Sequence, residues 1–73
     1  MTDILCIADA YLQGVVDATP VGYRHCTDTW YGFGDYDINV DGSDYHGEGE
    51  DTLFVYVYKR GDYSNAIYWN NLS

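Results

Sequence analysis

The sequence predicts an α+β fold: one N-terminal amphipathic helix packed on a small antiparallel sheet of about three strands. Three observations carry this. Apolar residues recur at helical spacing only near the start of the chain. After residue 20 the period falls to two, and β-branched and aromatic residues dominate the segments that follow. With 73 residues there is room for a single domain, 1–73, and little for a second core or an enclosed cleft.

The helix is expected over residues 3–18. Ile4, Ala8, Tyr11 and Val15 form a stripe that Leu5 and Leu12 widen, while Asp9, Gln13 and Asp17 fall elsewhere. Thr2 or Asp3 can cap its first amides, and Thr19-Pro20 ends it, because the residue before proline is pushed out of the α region. Gly14 weakens such a helix by about 1 kcal/mol relative to alanine, so packing must hold it.

Residues 20–29 carry no clear period. WYGFGDYDINV (30–40) reads as a strand, with Trp30, Tyr36, Ile38 and Val40 on one face and Tyr31, Phe33, Asp35, Asp37 and Asn39 on the other. Gly32 and Gly34 add a bulge or bend. TLFVYVYK (52–59) alternates Leu53, Val55 and Val57 with Phe54, Tyr56 and Tyr58. AIYWN (66–70) reads as a further strand, joined to it by the loop RGDYS (60–64). Asp41-Gly42 between alternating runs predicts a tight reversal at Gly42, with strands on both sides.

Nine tyrosines, two tryptophans and two phenylalanines argue against disorder and let few residues build a core. Three basic residues (Arg24, Lys59, Arg60) against twelve acidic ones give a net charge of −9. That much charge on so small a body repels itself and disfavours the compact state. Cys6 and Cys26 follow no secretory signal, and the apolar run ILCIADAYL is broken by Asp9 and too short to span a bilayer. This pattern predicts a cytoplasmic protein with free thiols and no membrane partner, a Cys6–Cys26 bridge being the alternative.

DINVDGSDYHGE (37–48) satisfies a calcium-loop pattern, with Asp37, Asn39 and Asp41 at positions 1, 3 and 5, Gly42 at 6 and Glu48 at 12. The context opposes it. Strand-like segments flank the loop where helices are needed, Asp44 replaces the usual aliphatic residue at position 8, and Tyr45 stands at position 9. No ordered metal site and no cofactor are expected. His25 and Cys26 are adjacent, so on a strand they would face opposite ways and could not act as base and nucleophile. Cys6, His25, Cys26 and His46 lack a zinc-ligand spacing. The reading is a protein that is not an enzyme.

The acids themselves are the candidate site. Asp28, Asp35, Asp37, Asp41, Asp44, Glu48, Glu50 and Asp51 lie in one stretch, and no Lys or Arg occurs from 25 to 58. Solvated faces normally mix both signs, whereas a single-sign block projects a field that steers toward partners of the other sign. Same-face strand residues repeat every ~6.6 Å, close to two of the ~3.4 Å axial steps between phosphates of one DNA strand. Tyr36 and Tyr45, with Tyr31, add hydrogen-bonding and stacking surface. A nucleic-acid binder would be basic. This chain is the electrostatic opposite, so its expected partner is a basic nucleic-acid-binding protein rather than nucleic acid itself.

A short, very acidic, aromatic-rich chain with a leading helix, antiparallel strands and no catalytic apparatus resembles the small phage-encoded anti-CRISPR proteins that mimic DNA. A leading helix followed by antiparallel strands with several acidic patches is similar to inhibitors of type I-C interference complexes. The likeness covers the whole chain in size, charge and element order and rests on no shared motif. It implies a monomer in the bacterial host cell that blocks target-DNA binding, at the subunit that reads the duplex next to the target. It carries over no individual residue. Two other readings stand beside it: a small calcium-binding protein using the 37–48 loop, and a general acidic protein-interaction module.

Overall fold

A computed structural model of the protein describes residues 3–42 and 52–72. The chain runs through a helix, α1 (Ile4–Ala18), a 3-10 helix (Val21–Cys26), and four strands: β1 (Asp28–Phe33), β2 (Tyr36–Gly42), β3 (Leu53–Lys59) and β4 (Tyr68–Leu72). The strands form one antiparallel sheet in sequential order, β1-β2-β3-β4, with α1 on one face. The α+β class is as the sequence predicts, but the sheet has four strands rather than about three.

Asp3 caps α1, its carboxylate accepting from the Leu5 N–H at 3.0 Å. At the other end Arg24 reaches back from the 3-10 helix. Its Nε donates to the Thr19 carbonyl and its Nη2 to the Val16 carbonyl, both at 3.1 Å. A cation on the last carbonyls satisfies orphan acceptors and complements the helix dipole. Ala8, Leu12 and Val16 are buried on the i, i+4 ridge, with Ile4, Ile7, Tyr11 and Val15 packed beside them. Leu5, expected in the stripe, lies off this ridge and is exposed. The rest of the core is Ile38, Val40, Leu53, Val55 and Val57, all fully buried. A polar latch fastens α1 to β4: Asp9 accepts from the Tyr68 hydroxyl at 2.8 Å and the Asn70 amide at 3.2 Å. That hydrogen bond from the phenol, then desolvation, raises the Tyr68 pKa above the ordinary 10.0.

Two corrections to the sequence reading follow from turns. The 30–40 stretch is two strands. Gly34 adopts φ +58° while Asp35 keeps negative φ, the combination of a two-residue type II′ hairpin turn. Directly paired residues share a face, so Phe33 opposite Tyr36 exchanges the parity of β1 relative to β2. Tyr31 therefore joins Ile38 on the core side, stacking on Tyr11 at 4.3 Å, and Trp30 joins Asn39 on the other. Gly42, expected in a tight reversal, ends β2 instead, paired with Leu53. Its N–H donates to the Thr27 carbonyl at 2.8 Å. A Cβ there would stand 1.8 Å from the Arg24 carbonyl oxygen. Gly42 is a glycine of close approach, not of turn geometry; the segment before it is strand as expected, β2, which it ends, and the next strand described after it is β3.

Candidate functional site: the open face of the sheet

Strand alternation and register place one set of side chains on the face that α1 does not cover. Across the sheet they form three rows: Asp28–Asp41–Phe54–Asn71, then Trp30–Asn39–Tyr56–Trp69, then Gly32–Asp37–Tyr58. Trp30 is 52% exposed and Trp69 59%. Large rings exposed together on one face are the kind of surface at which proteins commonly bind partners.

Asp28 and Asp41 are paired directly across β1 and β2. Like charges opposite one another destabilise a sheet. One oxygen of Asp28 accepts from the Asn39 amide at 3.0 Å, and the same amide reaches the Thr29 carbonyl at 3.4 Å. Asn39 is buried beneath this arrangement, so its side chain is a structural strut of the face. Near Asp41, the Tyr56 hydroxyl is desolvated and feels the carboxylate's charge, and both raise its pKa above the ordinary 10.0.

At the other end Asp37 is the hub. Arg60 donates to its Oδ1 from Nε and Nη2, each at 3.3 Å, and the Tyr63 hydroxyl donates to Oδ2 at 2.5 Å. Tyr63 comes from the β3–β4 loop, which folds back over the sheet; the loop glycine Gly61, at φ +91°, and the Lys59–Asp62 bridge shape its start. Trp30, Tyr58 and Tyr63 stand with ring centroids 5.8–6.0 Å apart, Trp30 and Tyr63 edge to face. Farther out in the same loop, two hydrogen bonds from Ser64 hold the Asp62 pKa below the ordinary carboxylate value.

The sequence-predicted residues divide as follows. Asp28, Asp37 and Asp41 meet on the open face, with Asp37 and Asp41 about 13 Å apart along β2 at ~3.3 Å per residue. Asp35 is exposed at the β1–β2 turn, its carbonyl accepting from the Arg60 N–H at 2.9 Å. Tyr36, expected among the contact residues, lies on the core side, packed against the buried cluster. Asp44, Tyr45, Glu48, Glu50 and Asp51 lie outside the described residues. The first half of the calcium-loop match, Asp37 to Gly42, is extended strand. Its three ligand positions are spread along β2, with Asn39 turned to Asp28. Among the described residues no three His, Cys, Asp or Glu side chains gather where they could hold a metal ion. Cys6 and Cys26 are free and exposed. No described helix is long and apolar enough to cross a membrane.

Sequence reasoning missed Trp30, Tyr63 and Trp69 as site residues. Strand parity would have flagged Trp69, one residue from Tyr68, the core-side partner of Val57; Trp30 needed the Gly34 turn. No family model, no curated protein and no solved structure matches the chain.

Proposed function

We propose that the chain is a nucleic-acid mimic, which binds a basic DNA-binding groove of a bacterial CRISPR–Cas interference complex and blocks target DNA. The observation that carries this reading is the opposition of Asp28 and Asp41 on the face left uncovered by α1. The repulsion between the two carboxylates opposes that placement, in a chain already at −9. A phosphate-binding groove favours it, since Lys and Arg side chains set to neutralise phosphates accept carboxylates with the same charge-assisted geometry. The exposed Trp30, Trp69 and Tyr63 favour a second reading, an acidic module for some other basic protein, because aromatic anchors are typical of protein interfaces.

The test is competition for DNA binding by a type I-C interference complex, read at low and high salt. Asp28→Asn with Asp41→Asn removes two contacts, each worth about 1.5–3 kcal/mol when desolvated. Inhibition should then weaken by a hundredfold or more. Parent inhibition should fade with rising salt and be relieved by excess specific DNA. A doubly substituted protein that folds and inhibits like the parent removes the mimic reading. Salt-sensitive capture of a basic protein without DNA competition would favour the second reading.

A further inference from the structure

We infer that Trp30, Tyr63 and Asp37 form a seat for one arginine side chain of the basic partner, an inference that rests on the proposed binding through the open face. A depression of about 410 Å³ is lined by the indole, the phenol and Asp37, which is the only charged group in its lining among the described residues. Two aromatic walls at right angles beside a carboxylate suit a guanidinium. The flat cation stacks on the indole, the best cation–π surface among side chains, and turns its N–H edge to the carboxylate. An ammonium is a compact, strongly hydrated charge and gains less from a flat wall.

The fold already holds a guanidinium at this carboxylate. Arg60 lies over Gly32, where a Cβ would come within 3.1 Å of its Nη2, and it approaches Asp37 from outside the depression's lining. Both of its contacts with Asp37 go to a single oxygen at 3.3 Å, longer than good charge-assisted bonds; a third hydrogen bond, from Nη2 to the Tyr36 carbonyl, is 3.4 Å, and the side chain remains 55% exposed. Arg60 is thus an exposed resident held by long hydrogen bonds, and a partner's arginine entering the depression beside the rings would share or displace it.

The test needs no partner complex, so it separates this inference from the mimic reading. N-acetyl-arginine amide and N-acetyl-lysine amide are titrated into the full chain, and the two indole N–H resonances are followed by NMR. The arginine probe should shift Trp30 saturably and leave Trp69 little changed, with lysine amide clearly weaker. Asp37→Asn, nearly isosteric, and Trp30→Ala, followed at the backbone amides around the seat because its reporting indole is gone, should each weaken arginine binding by about two- to fivefold, as expected for single exposed contacts. Arg60→Gln should tighten it, since the resident competitor is gone; a merely structural Asp37–Arg60 pair predicts no such gain. Equal shifts at Trp30 and Trp69, equal response to the two probes, or unchanged binding by Asp37→Asn would each overturn the seat. If the seat fails while the Asp28/Asp41 variant still loses inhibition, the mimic reading stands without it. A seat that binds arginine while that variant inhibits normally belongs to a different basic partner.

Discussion

Gly42→Ala should destabilise the domain severely, and for a reason unrelated to glycine's conformational freedom. The added Cβ would meet backbone rather than a flexible side-chain tip: the Arg24 carbonyl oxygen at 1.8 Å, its carbon at 2.8 Å and the His25 Cα at 2.9 Å. Relief requires the 3-10 helix to move off β2. Overpacking of this kind costs about 1–3 kcal/mol. The same movement stretches the Gly42–Thr27 hydrogen bond, now 2.8 Å, which contributes a further ~1 kcal/mol. A loss of about 2–4 kcal/mol is a large share of the roughly 4–11 kcal/mol expected for a chain of this length. In a thermal melt it corresponds to a fall of roughly 8–30 °C, at 4–8 °C per kcal/mol for a small domain. Circular dichroism melts of parent and variant would measure it. A melting temperature within a few degrees of the parent would refute the argument, showing that the 3-10 helix does not press on β2.

Gly14→Ala should act in the opposite direction, because nothing stands within 4 Å of a Cβ there and α1 gains helix propensity; denaturant titration should show about 0.5–1 kcal/mol of added stability. Leu12→Ala opens a hole in a fully buried site and should cost roughly 2–5 kcal/mol in the same titration. Asp28→Asn, alone or with Asp41→Asn, should leave stability unchanged or raise it, since a cross-strand repulsion is removed; loss of more than about 1 kcal/mol would show that the Asn39–Asp28 bond outweighs the repulsion. Alkaline pH should erode stability through Tyr56 and Tyr68. Their folded pKa values lie above the unfolded value, so their contribution is complete below about pH 10 and is lost as pH rises toward the folded values, with phenolate absorbance as the readout.

Periodicity made the long elements legible. The helix expected over 3–18 is α1, which spans Ile4–Ala18; the 52–59 alternation is β3 and kept its core face, while the helix stripe kept its face except for Leu5 and gained Val16. What eluded the sequence were relations between elements. Gly34 permitted both a bend within one strand and a hairpin, and only the pairing of Phe33 with Tyr36 decides which side Trp30 occupies. Gly42 carried the Asp-Gly signal of a turn, yet its constraint comes from the 3-10 helix, a segment with no period to announce it. β4 begins at Tyr68 rather than residue 66 because the β3–β4 loop is longer than the Arg60-to-Ser64 signal suggested, and that extra length carries Tyr63 over the open face. The acids were visible as a block. Their division among a sheet face, a hairpin tip and a hub with Arg60 was not, because it depends on register.

The sequential strand order has a kinetic side. Each strand pairs with its neighbour in the chain, so the sheet can assemble by successive hairpin closures, each within a short span. The packing of α1 on the sheet is long-range by contrast, and its latch joins Asp9 to Tyr68 and Asn70, 59 and 61 residues away. Docking of α1 should therefore come after the rate-limiting step, while closure of the Gly34 hairpin precedes or accompanies it. Asp9→Asn should then chiefly accelerate unfolding and leave the refolding rate nearly unchanged, whereas Gly34→Val, by straining the turn, should slow refolding. On this order α1 docks last, and because its Ala8, Leu12 and Val16 share one core with the strands, its undocking would open the sheet's buried face to water.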